Sequence, residues 1–115
     1  VYLAGWVGNP SDFYNSISLY VQPSATEGFG IEVLEAMAHG RPVLCSDGAG
    51  ASDLIKEAGV GSITYSRNAE HLADLIDAAK NRWDLDQLGR QARERTAAYS
   101  WDKIRQRYID LWGSL

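Results

Sequence analysis

The sequence is short of residues that could staple it or carry it through a membrane. One cysteine, Cys45, stands in 115 residues, so no disulfide can form within the chain. That fits a reducing, cytoplasmic setting. Cys45 lies in the apolar run at residues 42–46 and reads as a small buried strand residue. Nothing around it suggests the histidine partner and electropositive setting that a reactive thiol needs. The only two histidines, His39 and His71, have no metal-ligand spacing between them. His39 is expected at a helix end and His71 on an exposed first turn. No apolar run approaches the roughly 20 residues of a membrane helix. There is no N-terminal signal pattern and no initiator methionine. The chain opens directly into VYLAGW, and it is expected to be a piece of a longer protein.

What is present reads as one folded domain. The hydrophobic fraction is 45% and the charged fraction 23%, which argues against disorder. The net charge of -4 hides an asymmetry: residues 1–79 hold three basic and ten acidic side chains, residues 80–107 eight and four. The basic C-terminal stretch is either a solvated helix face or a contact for an anionic membrane, nucleic acid or a partner domain. Its aromatics (Trp83, Tyr99, Trp101, Tyr108 and Trp112) are spaced for packing, and none belongs to a nucleic-acid motif.

Four apolar runs have strand character: residues 1–7, 18–23, 42–46 and 61–65. The middle two are too continuously apolar for one wet face, which suits a parallel sheet covered on both sides. Helical patterns lie between and after them. Residues 11–16 follow a possible Ser11 cap. Residues 31–39 place apolar side chains at 31, 34, 37 and 38 and stop at Gly40. Residues 51–58 form a shorter candidate. Residues 69–82 carry the stripe Leu72, Leu75, Ile76 and Ala79. The chain is then expected to stay helical to its end, apart from a break at YSWD, where Ser100 caps a last helix. This alternation predicts an α/β fold with a Rossmann-like parallel sheet and flanking helices. A sheet of four strands is small for that class, so its first strands are expected to lie outside the chain.

In such sheets ligands bind beyond the carboxyl ends of the strands. The run at 18–23 feeds the segment SATEGFG, and a helix follows. Gly28 and Gly30 allow backbone N–H groups to approach a ligand closely. The helix N-terminus behind them favours an anion such as phosphate. Glu27 lies before the turn and Glu35 inside the helix. From spacing alone three readings stay open. The two acids hold separated hydroxyl groups of one elongated ligand, as a nucleotide sugar would offer. They are a glycosidase acid/base pair. Or Glu35 faces solvent on an amphipathic helix.

EGFGIEVLEAMAHGRPVLCSD resembles the E-x7-E segment of retaining glycosyltransferases with the GT-B fold, of the family 4-like or group 1 type. Glu27 and Glu35 occupy its two acids. LAGWV and DFYNSISLYVQPS are similar to the elements that precede it in that family, and YSWDKIRQRYIDLW to the closing helix. The likeness runs in register over nearly the whole chain. One departure lies at DGAGASDLI, where Ala49 precedes Gly50 in place of paired glycines and Asp53 stands where a glutamate is usual. Asp53 alone reads as a helix-start acid.

The resemblance implies a donor-binding half of a two-domain enzyme. It assigns the donor sugar's hydroxyls and the reaction centre to Glu27. The backbone of Gly28, Phe29, Gly30 and Ile31 would meet sugar and phosphates, Glu35 the ribose hydroxyls, and Val7 the base. The donor would be a UDP- or GDP-linked sugar; no metal or other cofactor is expected. The acceptor would be a glycan, lipid or small molecule, and no nucleic acid is implied. The Arg and Lys that stabilise the leaving diphosphate in this family belong to an earlier segment, and the acceptor domain is also expected outside this chain. The 115 residues alone are therefore expected to be inactive. Two alternatives stand beside this reading: a non-catalytic nucleotide- or glycan-binding module, and another GT-B-like enzyme such as a sugar-nucleotide epimerase or a phosphorylase.

Overall fold

Among the residues that the computed structural model describes, 1–64 and 68–115, three short parallel strands form the centre of the fold. They are β1 (Tyr20–Gln22), β2 (Val43–Ser46) and β3 (Gly61–Thr64), side by side in that order. Tyr20 pairs with Val43 and Gln22 with Cys45; Val43 pairs in turn with Gly61 and Ser46 with Thr64. Helix α1 (Pro10–Ser16) precedes β1, α2 (Ile31–Ala38) joins β1 to β2, and α3 (Ser52–Ala58) joins β2 to β3. Helices α4 (Ala69–Arg82), α5 (Leu85–Thr96) and α6 (Trp101–Gly113) follow, with a 3-10 turn at Ala97–Tyr99. The α/β class and the parallel sheet agree with the sequence reading.

The core explains the sheet. All four β2 residues are buried, as expected of a central parallel strand with both faces covered. Cys45 among them is a free, buried thiol, and burial pushes it up to about 11, so it is inert rather than nucleophilic. Helix α2 buries Val33, Ala36 and Met37, spaced three and four apart on one face. They join Val43 and Cys45 from the sheet, Leu54 and Ile55 from α3, Val60 and Ala92 in one apolar cluster.

Several local expectations are corrected. Residues 1–7 are not a strand; Tyr2, Leu3 and Trp6 stand exposed. A strand exists only where a neighbour takes its main-chain N–H and C=O groups, and the sheet begins at β1. The α1 cap is Asn9 rather than Ser11: its side chain accepts from the Ser11 N–H at 3.1 Å, and Pro10 occupies the first helical position. Ser100 stands at the N-cap of α6 but makes no side-chain capping bond. The helical C-terminal region breaks at Trp83 as well as at Ser100, because Asp84 caps a new helix by accepting from the Gln87 N–H. Of the aromatics expected to pack, Trp83 and Tyr99 are half-buried, whereas Trp101, Tyr108 and Trp112 are exposed. Helix α6 meets the body chiefly through the 3-10 turn, which leaves its sides uncovered. Tyr65, the expected last residue of β3, lies outside the described residues.

Candidate functional site

The segment after β1 and the segment after β2 lie against each other at the carboxyl end of the sheet. Glu27 and Ala49 form an isolated parallel bridge. The Glu27 N–H donates to the Gly48 carbonyl at 3.0 Å, and the Ala51 N–H donates to the Phe29 carbonyl at 2.7 Å. The approach is so close that a Cβ on Gly48 would stand 2.3 Å from the Ala25 carbonyl oxygen. Ser46 Oγ donates to the Ser24 carbonyl and adds to the same seam. The buried Ala49 methyl is accommodated between these glycines. The Ala-Gly departure in DGAGASDLI therefore coexists with a closely packed loop. Asp53 is an exposed first-turn acid of α3 beside Lys56 at 3.4 Å.

Gly30 turns this segment into α2. Its φ of 82° is left-handed, a conformation costly for residues with a Cβ. No side chain caps the helix end, so its positive pole stays available. Phe29 and Ile31 project outward and are exposed on either side of buried Gly30.

The two acids are held by different neighbours. Glu27 Oε1 accepts from the Gly28 N–H at 3.1 Å, which folds the carboxylate back over its own loop. Glu35, one turn along α2, accepts from the Tyr14 hydroxyl through Oε2 at 2.9 Å. Tyr14 reaches across from α1 and is itself wedged among rings. It stacks on His39 with centroids 5.0 Å apart and meets Phe13 and Tyr20 edge-on. His39 behaves as a helix-end residue: Nδ1 lies 2.8 Å from the Glu35 carbonyl and Nε2 3.2 Å from Ser11 Oγ. Arg41 Nε donates to the Tyr14 carbonyl at 2.7 Å. Burial, reinforced by the bond that the phenol donates to Glu35 and by the Glu35 charge, holds the Tyr14 phenol well above its ordinary range.

Tyr20 lies within the field of Glu32, Glu35 and Glu27; burial first, and then these charges, push its phenol up to about 12. Its hydroxyl donates to Gln22 Oε1 at 2.7 Å, and Gln22 Nε2 faces Gly30. Glu27, Glu32 and Glu35 make the rim of the α2 N-terminus acidic. Val7 lines an open pocket of about 380 Å3 with Ala4, Gly5, Trp6, Pro10, Phe13 and Tyr14. Tyr14 thus belongs both to the Val7 pocket and to the Glu35 contact. Sequence spacing offered no signal for this role: Tyr14 and Glu35 are 21 positions apart on different helices.

Other polar candidates lie elsewhere. His71, expected exposed, is half-buried with Nδ1 3.0 Å from Thr64 Oγ1. An Asp-x-Asp spacing of the kind that can hold a divalent cation occurs at Asp84-Leu85-Asp86. Asp84 is occupied as the α5 cap. Among the described residues no group of three or more His, Cys, Asp or Glu side chains is arranged to hold a metal ion. No helix among them is long and apolar enough to cross a membrane.

With this geometry established, known proteins place the chain. The solved sucrose-phosphate synthase of Thermosynechococcus elongatus superposes with a TM-score of 0.75 at 28% identity, over 90% of this chain and 27% of that one. An uncharacterised glycosyltransferase of Methanocaldococcus jannaschii is 32% identical over 86% of this chain and 26% of its own length. A poly(ribitol-phosphate) alpha-N-acetylglucosaminyltransferase of Staphylococcus aureus is 30% identical over 99% of this chain and 24% of its own. The family model for glycosyl transferases group 1 matches residues 1–95. The chain belongs to that family, and its fold is part of a GT-B half. It spans about a quarter of the length of these relatives.

Proposed function

We propose that this chain is the donor-binding part of a retaining, metal-independent glycosyltransferase. The intact protein would move a sugar from a UDP- or GDP-linked donor to an acceptor hydroxyl on a glycan, lipid or small molecule. Family membership supports sugar transfer. The observation that carries the finer reading is the arrangement along one path: Glu27, then the Gly28–Ile31 backbone with left-handed Gly30, then Glu35, then the Val7 pocket. That order matches sugar, diphosphate, ribose and base.

Each part has a task. Glu27 would accept hydrogen bonds from donor-sugar hydroxyls and position the reaction centre. The uncapped α2 N-terminus and the loop amides would receive the phosphates. Glu35 would accept from the ribose diol. The bond from sugar to diphosphate is exchanged for one to the acceptor oxygen, whose proton passes to the departing diphosphate, and that diphosphate needs positive charge. The acidic rim does not supply it, so we assign that role to basic groups elsewhere in the intact protein. The 115 residues alone would then bind donor weakly and turn over little.

The test is sugar transfer by the intact protein with UDP- and GDP-linked sugars, with the anomeric configuration of the product read by NMR. Retention of configuration with chelator present is the expected result. An inverted product refutes the retaining assignment. A free epimerised sugar would instead identify an epimerase, and dependence on inorganic phosphate a phosphorylase. Donor binding without turnover would identify a binding module.

A further inference from the structure

We propose that Tyr14 is a positioning residue for Glu35: its hydroxyl holds the carboxylate in the one orientation that meets the ribose diol. The proposal rests on the ribose reading of Glu35 above. A surface glutamate has three side-chain torsions, and fixing them on ligand binding costs entropy. Glu35 is exposed, yet one of its oxygens is already tied to a buried hydroxyl at 2.9 Å. A phenol that donates to a carboxylate makes a charge-assisted bond, stronger than a neutral one. A carboxylate accepts about four hydrogen bonds, so Tyr14 leaves Oε1 and part of Oε2 for a ligand.

Tyr14 is rigid enough for this work. The residue is 4% exposed, its ring stacked on His39 and held edge-on by Phe13 and Tyr20. Its carbonyl accepts from Arg41 at 2.7 Å, and Arg41 Nη2 also donates to the Asn15 carbonyl at 3.3 Å. Arg41 follows the α2 helix end, so the tyrosine and the glutamate are referenced to the same rigid piece. Tyr14 also lines the Val7 pocket, so one residue borders the proposed base position and holds the proposed ribose ligand Glu35. Its elevated ionisation range keeps the proton in place at physiological pH.

The experiment compares four forms of the intact protein: wild type, Tyr14→Phe, Glu35→Ala and the double variant. Calorimetry measures Kd for UDP and GDP and for their 2′-deoxy counterparts. Thermal unfolding checks each form, and Tyr14→Phe keeps the ring packing and loses only the hydroxyl. We expect Tyr14→Phe to weaken the ribose nucleotide by about tenfold, with the deoxy nucleotide scarcely changed. The preference for ribose then falls, and the double variant binds no worse than Glu35→Ala alone. If Glu35→Ala abolishes the ribose preference while Tyr14→Phe keeps it, the positioning role is overturned and the Glu35 reading survives. If Glu35→Ala itself keeps the ribose preference, the Glu35 reading fails and the positioning role with it. Equal loss for ribose and deoxyribose nucleotides in Tyr14→Phe would also overturn the proposal, because it would report a general structural effect.

Discussion

A Cβ on Gly50 would stand 2.3 Å from the Gly28 carbonyl oxygen, across the seam between the two site loops. Real atoms do not approach so closely, so Gly50→Ala must push the motif loop away from its neighbour. We expect a stability loss of about 1–3 kcal/mol, the usual range for overpacking, and weakened nucleotide binding. Gly28→Ala is the contrasting variant, since a Cβ there meets nothing within 4 Å. Its melting temperature should stay close to wild type. Equal melting temperatures for both variants would contradict the seam.

The two acids should separate in kinetics. Glu27→Gln is expected to lower kcat on the order of a hundredfold with little change in donor KM, because its proposed role is at the reacting sugar. Glu35→Ala is expected to raise donor KM about tenfold and to leave kcat nearly unchanged, because the proposed role binds a part of the donor that does not react. Steady-state assays of the intact protein with varied donor check both. A kcat collapse in Glu35→Ala with unchanged KM would reverse the assignments.

Alkaline pH should destabilise the fold. Burial raises Cys45 from 9.0 to about 11 and Tyr20 from 10.0 to about 12; Tyr14 is raised further. In the unfolded chain these groups lose their protons first, so the stability they contribute is complete below pH 9 and is lost as pH rises toward 12. Denaturant midpoints should therefore fall from about pH 9 upward, and Cys45→Ala should remove the earliest part of that fall. A flat profile between pH 8 and 11 would count against these assignments.

Asp84 allows a metal test. Its carboxylate accepts from the Gln87 N–H at 2.9 Å as the α5 cap. Asp84→Ala should cost about 1 kcal/mol of stability, the ordinary loss of a cap, and leave kcat intact at a temperature where the protein stays folded. A chelator should leave the transfer rate of the intact protein unchanged. Activity that vanishes with chelator and returns with a divalent cation would reject metal independence.

The central elements were legible because their signals are local. A continuous apolar run specifies β2, and apolar residues three and four apart specify the buried face of α2. The acids of the motif were singled out by spacing and resemblance together, and the structure places Glu27 on the loop and Glu35 on α2. The misreadings have a common source in tertiary context. VYLAGWV has strand composition, but composition supplies no neighbour for its hydrogen bonds. WDLDQL hides a helix start inside a helical pattern, and only the aspartate three residues before Gln87 marks it. Trp101, Tyr108 and Trp112 follow helical spacing, although periodicity does not say whether another element covers them. Tyr14 was invisible as a site residue because its contact with Glu35 is made by the docking of α1 on α2.

The seam between the loops has one more effect. Phe29 contributes a carbonyl to Ala51 while its side chain stands 45% exposed, and Ile31 is exposed beside it. A main-chain bond is made equally well by any residue other than proline at the donor. Around its required glycines the cradle is therefore joined by main-chain atoms, whereas the exposed side chains of Phe29 and Ile31 take no part in those bonds. On the proposed reading of this site, substitutions at positions 29 and 31 are expected to change sugar selectivity without rebuilding the turn that supports them.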